Sequence, residues 1–373
     1  MLTRLRSQRA CLSLLLIGAM ITCAACGRAP TATVPAPTLT PVPTYTPAPN
    51  PTAQPTRALP DAAAERIGVF ITTDMSSDDV VAILYLLRHP RVQVLGIGSA
   101  NGVAHVEPAA RNVLRLLALV QREDIPVAVG SAEALEGDHN FPGSWRGGAD
   151  RLFGLDVPDT KAQPVSQTCA ELLASTVRAR PGEVTVVLLG AHTDLALALR
   201  NDTGLARQIK AVHMMGGAVH VPGNIQAEYS AVDNAAAEWN LWLDYRAAAE
   251  VFSAGIPLSV VPLDATNGVR VDQAYYQRVR DAATSPAAKT VADLWRQQSR
   301  SSGGFYIWDA VATVALTVPQ AARWEEIRVG IVTDDPKALG QTVPVLDVAA
   351  NSRVCLSVDV PTLQDDLLSV LNR

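Results

Sequence analysis

Apolar and polar positions along this chain follow two alternating rhythms. From Ile67 the positions Ile67, Val69, Phe70 and Ile71 form a short apolar, β-branched run that reads as a buried strand. From Val80 to Leu87 the apolar residues recur with helical period. Strand-like runs return at Val92–Ile97, Ile125–Val129, Val184–Leu189, Lys210–Met215 and Pro257–Pro262. Helix-like runs lie between them at Glu107–Gln121, Val165–Arg180, Thr193–Leu199 and Tyr245–Phe252. This alternation predicts an α/β fold, with a mostly parallel central sheet and helices on both faces. Gln273–Arg300 reads as one or two further helices and Asp309–Leu316 as another. Near the C-terminus V-G-I-V-T-D-D, V-P-V-L-D-V and V-C-L-S-V-D-V predict short strands forming an antiparallel edge, then a helix at Leu363–Leu371.

The rhythm does not extend to the N-terminus. Arg4, Arg6 and Arg9 precede the apolar run Cys11–Thr22, and C-A-A-C-G follows. A basic start, a short apolar core and small residues make residues 1–26 a signal peptide. Its end resembles a bacterial lipobox, with Cys23 in place of the usual leucine, so Cys26 is expected to carry a lipid anchor. Simple secretion with cleavage nearby is the alternative. Residues 27–62 are dominated by Pro, Thr and Ala, have little to bury and read as an extended linker. At about 3.1 Å per residue it would reach roughly 100 Å, enough to hold a domain away from a membrane. Residues 63–373 then form one large α/β domain, exported to the cell surface or periplasm. The net charge of −5 and the lack of basic clusters exclude a nucleic-acid partner. Cys169 and Cys355, the cysteines of the domain, lack zinc-type spacing. They either pair or stay as buried thiols.

Between the first strand and helix stand Asp74, Asp78 and Asp79, three carboxylates within six residues. In open α/β sheets ligands bind beyond the carboxyl ends of strands, where Asp74 falls. Carboxylates gathered in one crevice repel each other unless a cation or protons compensate them. Oxygen ligands favour calcium or magnesium. Helix capping by Ser76, Ser77 or Asp78 is the competing explanation, and it leaves Asp74 unexplained. The long glycine-rich loop Gly130–Gly154 holds Asp138, His139, Phe141, Trp145 and Asp150, and reads as a lid or as a packed surface excursion.

The segment T-T-D-M-S-S-D-D (Thr72–Asp79) resembles the opening motif of the inosine–uridine-preferring nucleoside hydrolases, usually D-T-D-x-G-x-D-D. Further matches follow in that family's order. They are A-N-G-V-A-H-V-E-P-A-A-R-N (Ala100–Asn112), L-G-A-H-T-D-L-A-L-A-L (Leu189–Leu199), M-M-G-G-A (Met214–Ala218), P-G-N (Pro222–Asn224), A-E-W-N-L-W-L-D (Ala237–Asp244) and W-D-A-V-A (Trp308–Ala312). The resemblance implies a Rossmann-like fold and hydrolysis of the N-glycosidic bond of ribonucleosides through an oxocarbenium-like transition state. It implies Ca2+ held by Asp74, Asp79, Asp309 and the backbone carbonyl of Thr193, with Asp74 as catalytic base. It also implies ribose contacts from Asp78, Asn101, Asn224, Glu238 and Asn240, with Met215 beside the sugar, and a homo-oligomer. Glu238 and Asn240 would converge on one ligand from an extended segment and diverge on a helix.

The chain departs from the family at Thr72, at Ser76 and, most informatively, at Trp308, where many members have a histidine proposed to protonate the leaving base. Either His139 or Asp138 takes that part, or the base is activated by stacking on tryptophans such as Trp308, Trp145, Trp239 and Trp242. A tethered lipoprotein that binds nucleosides without turnover is the alternative from another class. The presence of Asp74 speaks for catalysis.

Overall fold

The computed structural model describes residues 66–298 and 304–373. The expected signal peptide, Cys26 and the whole expected linker, 27–62, lie outside the described residues. The chain enters with β1 (Ile67–Thr73), α1 (Ser77–Arg88), β2 (Val92–Ser99), α2 (Val106–Leu119) and β3 (Val127–Ala128). Next come α3 (Gly143–Ala149), α4 (Cys169–Ala179), β4 (Val184–Leu188), α5 (Thr193–Asn201) and β5 (Ala211–Met215). Three helices, α6 (Ile225–Glu228), α7 (Trp239–Leu243) and α8 (Tyr245–Ser253), precede β6 (Leu258–Val261) and α9 (Leu263–Thr266). The remainder is β7 (Arg270–Val271), α10 (Gln273–Ala282), α11 (Pro286–Gln298), β8 (Phe305–Tyr306) and α12 (Trp308–Thr317). It ends with β9 (Ala322–Ile331), β10 (Thr342–Val345), β11 (Ser352–Val358) and α13 (Val360–Leu371).

Nine strands form one sheet in the order β10-β9-β11-β6-β5-β4-β1-β2-β3. From β3 to β6, and on to β11, every pairing is parallel. The expected antiparallel edge is present in β9 and β10, while β11 joins β6 in parallel. Strand order reverses between β1 and β4, so a crevice opens there at their carboxyl ends. Asp74 stands at that point.

Apolar side chains fill both faces. One core includes α1, α2, α12 and α13, the other α4, α5 and α8. Helix α1 is buried on all sides from Val80 to Leu86 because α12, α13 and β2 surround it. Its Ile83, Leu84 and Leu86 are fully buried, each contributing about 1.5–3 kcal/mol. Helix α4 starts at Cys169 rather than Val165, since Thr168 caps it and Glu171 closes the capping box. The short antiparallel pair of β7 and β8, whose strands are separated in sequence by α10 and α11, carries too few residues for a periodic signal. Cys169 and Cys355 are both buried free thiols, which excludes the disulfide alternative.

Candidate active site

The turn after β1 builds the floor of the site. Met75 adopts a left-handed backbone (φ 56°), a strained conformation for a side chain of its kind. Its N–H donates to Thr73 Oγ1 at 3.1 Å. Ser76 caps α1, and Asp79 returns the bond by accepting from the Ser76 N–H at 2.8 Å. Capping thus explains part of Asp79, but Asp79 also accepts from the Thr73 hydroxyl and sits beneath the cavity, fully buried. Asp78 takes no part in the cap. It accepts from the Ser76 hydroxyl and, at 3.0 Å, from the backbone N–H of Asp309.

Asp309 lies in the first turn of α12, so the N-termini of α1 and α12 converge on the same carboxylates. Their dipoles offset part of the negative charge. Carboxylate oxygens of Asp78, Asp79 and Asp309 lie within 4.8 Å of one another, and Oδ1 of Asp309 is buried without a hydrogen-bond partner. Asp74 stands beside them and accepts from the N–H groups of Ser76 at 3.3 Å and Val103 at 2.8 Å. Gly102 makes this possible, because a Cβ there would lie 1.9 Å from Asp74 Oδ2. Burial pushes the Asp74 carboxyl up to about 6. Burial, and then repulsion among the aspartates, pushes Asp79 and Asp309 well above the usual carboxylate range. A buried acidic cluster with an orphaned oxygen is the donor set of a hard cation, and these residues fit one.

Above this floor opens a cavity of about 460 Å³. Asp74, Asp78, Asp309, Met215, Asn224, Glu238, Asn240 and Trp308 all reach its wall, so most of the expected site residues are brought together. Glu238 is the extended N-cap of α7 and Asn240 lies in that helix's first turn. They share the cavity because the chain turns between them, a case intermediate between the strand and helix alternatives. The Glu238 carboxylate accepts from the N–H groups of Asn240 (3.0 Å), Gly217 (3.1 Å) and Leu241 (3.4 Å). Asn240 Nδ2 donates to the Met215 carbonyl at 3.2 Å. Thr193 opens helix α5, where the helical run was expected to start, and its hydroxyl donates to Asp244 Oδ2 at 2.7 Å.

Other expectations are corrected. Asn101 is buried but absent from the cavity wall; its Oδ1 accepts from Arg146 at 3.2 Å, tying α3 to the strand end. His139 stacks flat on Trp242 at 4.0 Å with Nδ1 2.7 Å from the Trp242 carbonyl, and Asp138 is exposed. Neither lines the cavity, so neither is placed to protonate a leaving base. The loop Gly130–Gly154 reaches the cavity, where Phe141, Ser144, Trp145 and Gly148 form one wall. Trp239 stacks on Phe141 at 4.2 Å with Trp145 edge-on, while Trp242 lies outside the wall. Trp308 stacks on Tyr306 at 4.9 Å, and its indole N–H donates to Asn267 Oδ1 at 3.0 Å.

Glu228 is among the wall residues that the sequence reading missed. Glu228 ends α6 with its outer side open to solvent and its carboxyl in the cavity wall, where desolvation pushes it up to about 7. It stands within the same irregular stretch as Asn224 and Glu238, and that proximity was its one available signal.

The model of the inosine-uridine preferring nucleoside hydrolase family matches residues 69–365. Uridine nucleosidase 1 of Arabidopsis thaliana is 30% identical over 265 residues, covering 69% of this chain and 76% of that protein. A pyrimidine-specific ribonucleoside hydrolase of Salmonella typhi is 32% identical over 282 residues, covering 74% and 87%. Among solved structures, a plant nucleoside hydrolase superposes with a TM-score of 0.73 at 25% identity, covering 82% of this chain and 98% of that one. With the aspartate floor, the cavity and these likenesses in agreement, the chain belongs to the inosine–uridine preferring nucleoside hydrolase family and is an N-glycosyl hydrolase.

Proposed function

We propose that this enzyme is a calcium-dependent ribonucleoside hydrolase releasing free base and ribose, exported and anchored to a membrane through Cys26, and assembled as a homo-oligomer. The observation that carries the calcium reading is the unpartnered, buried Oδ1 of Asp309 beside Asp78 and Asp79. Leaving such an oxygen uncompensated is costly, and a cation with oxygen ligands removes the cost. Asp79 and Asp309, with Asp78 at the same centre, are the clustered groups that would hold it, and the family resemblance adds Asp74 and the Thr193 carbonyl. Bound there, the cation supplies charge that neutralises the carboxylates and favours ionisation of water at neutral pH.

The chain's own groups supply the rest. Asp74 accepts the proton of the water that attacks the anomeric carbon. Asp78, Asn224, Glu238 and Asn240 hold the ribose, and Met215 packs against it. As the glycosidic bond lengthens, positive charge grows on the sugar, and the acidic wall favours that charge. Trp308 has its N–H committed to Asn267, so its contribution to the base is stacking. The relatives named for uridine and pyrimidine ribonucleosides support ribonucleosides as the substrate class.

The test is hydrolysis of a panel of purine and pyrimidine ribonucleosides with calcium and with a chelator. Release of base and ribose that stops on chelation and returns with calcium is expected. Full activity in chelator would overturn the calcium reading, and failure on every ribonucleoside would overturn the substrate class. Cys26→Ala should leave the membrane fraction with activity unchanged; continued membrane association would overturn the anchor.

A further inference from the structure

Trp308 is the first residue of α12, and its neighbour Asp309 belongs to the aspartate cluster. Its indole lines the cavity, so the plane of that ring is set beside the carboxylate floor. Residues that do not themselves line the cavity hold the ring there. Asn267, the C-cap of α9, accepts the indole N–H at 3.0 Å. Tyr306 stacks on the indole with ring centroids 4.9 Å apart and planes 14° from parallel. The Arg270 guanidinium lies over the Tyr306 ring, 4.4 Å from its centroid. Guanidinium, phenol and indole thus form one run of contacts that ends at the cavity.

The run depends on the antiparallel pair of β7 and β8, in which Arg270 stands opposite Tyr306. Successive strand residues face opposite ways. Phe305 accordingly packs edge-on against Trp295 of α11 at 6.0 Å, and Tyr306 is left to the side of Trp308. Gly304 leads into β8 at φ 76°, and a Cβ there would lie 2.6 Å from the Val271 carbonyl, so the strands close only around a glycine. Two such short strands have little stability of their own, and buried Val271 and Phe305 anchor them to the core. What the pair adds is a ring and a cation behind an aromatic wall residue.

A stacking wall gains from a fixed plane, because a ring free to turn must be ordered each time a ligand arrives. Asn267 fixes one edge of the indole and Tyr306 fixes its plane, while the cation over the Tyr306 ring holds that ring in turn. We propose that Tyr306 and Arg270 are positioning residues, which hold the Trp308 indole in the plane against which the base stacks. They act through Trp308 and touch no substrate. This inference rests on the ribonucleoside reading and the stacking role of Trp308 given above.

The test measures binding by calorimetry to the full-length protein at saturating calcium. Its two probes cannot be hydrolysed: 1,4-anhydro-D-ribitol and phenyl C-β-D-ribofuranoside. Their affinity ratio reads the stacking of a ring in the place of the base. Wild type should favour the phenyl ligand by about tenfold or more, the scale of base–aromatic stacking. Trp308→Ala should bring that ratio below about threefold. Tyr306→Leu should bring it to about the same level, and Tyr306→Phe, which keeps the ring, should restore it. Arg270→Ala, at an exposed position, should lower the ratio by about twofold. A residue acting through Trp308 has nothing to act on once the indole is gone. Adding Tyr306→Leu to Trp308→Ala should therefore change the ratio, and kcat/KM for inosine, by less than about twofold. A further tenfold loss in the double variant would mark a general structural defect and overturn the inference. Wild-type ratios in both Tyr306→Leu and Arg270→Ala would overturn it alone, leaving the stacking role in place. A ratio unchanged by Trp308→Ala would overturn the stacking role, and wild type binding neither probe would overturn the ribonucleoside reading; the inference falls with either.

Discussion

The backbone N–H of Asp309 donates to the carboxylate of Asp78 at 3.0 Å, joining the first turn of α12 to the first turn of α1 across most of the domain's sequence. Two helix N-termini are thereby aimed at one group of carboxylates. Orientation matters here, because the amide dipoles at both ends favour negative charge while the Asp309 side chain keeps one oxygen free.

Calcium should therefore stabilise the fold as well as activate it. At a hundredfold excess over its Kd a ligand specific to the folded state adds about 2.7 kcal/mol, enough to raise Tm by several degrees in a domain of this size. Asp309→Asn should lose most of that response. Calorimetric melts with calcium and with chelator check it, and identical melts for wild type would contradict the cation site.

Asp74→Asn should lower kcat by roughly 10²–10⁴-fold, the usual contribution of a general base. Affinity for a ribose-containing inhibitor should change far less, since the wall groups that hold the sugar remain. Single-turnover kinetics with matched binding measurements would separate the two effects.

Gly102→Ala tests the floor without touching a charge. The new Cβ would lie 1.9 Å from Asp74 Oδ2 and 2.4 Å from its Cβ, so Asp74 must move. A loss of activity comparable to Asp74→Asn is expected, with the domain still folded by circular dichroism. Near-normal activity would mean that the position of Asp74 is not critical.

Trp308→Phe should keep much of the rate, and Trp308→Ala should lose more, at all pH values. Purine nucleosides should suffer more from Trp308→Ala than nitrophenyl riboside, whose leaving group departs without help. Equal losses would reduce Trp308 to packing.

Glu238 sets a pH dependence of stability. Burial lifts its carboxyl from an ordinary 4.5 to about 7, against the pull of three N–H donors. The folded state therefore binds the additional proton between those values, and stability falls as pH rises through that window. Glu238→Gln does not titrate, so its stability relative to wild type should improve from pH 4.5 to 7 and then level off. Denaturant melts at fixed calcium across this range check the sign; a constant difference would show that Glu238 stays ionised throughout.

The parallel sheet, the order of its central elements and the aspartates at the end of β1 were legible along the chain. Buried strands demand continuous apolar runs, and a buried helix such as α1 demands apolar period, so these features are written locally. Capping supplied local signals too, as at Thr168 and Glu171, although the helix start there was placed too early. The resemblance assigned Asp309 to the aspartates of the first turn, but the bond that joins them is a contact between helix ends and has no local trace.

Side-chain direction followed a different logic. Asn101 and His139 had the right chemistry, yet Arg146 and Trp242 hold them away from the cavity. Glu228 had no pattern to mark it and became part of the wall because Asn224 and Trp239 approach it from either side. Secondary structure follows from the periodicity of neighbouring residues, which the chain itself carries. The membership of a cavity follows from which loops meet after the sheet has closed, and that depends on packing between residues far apart in sequence.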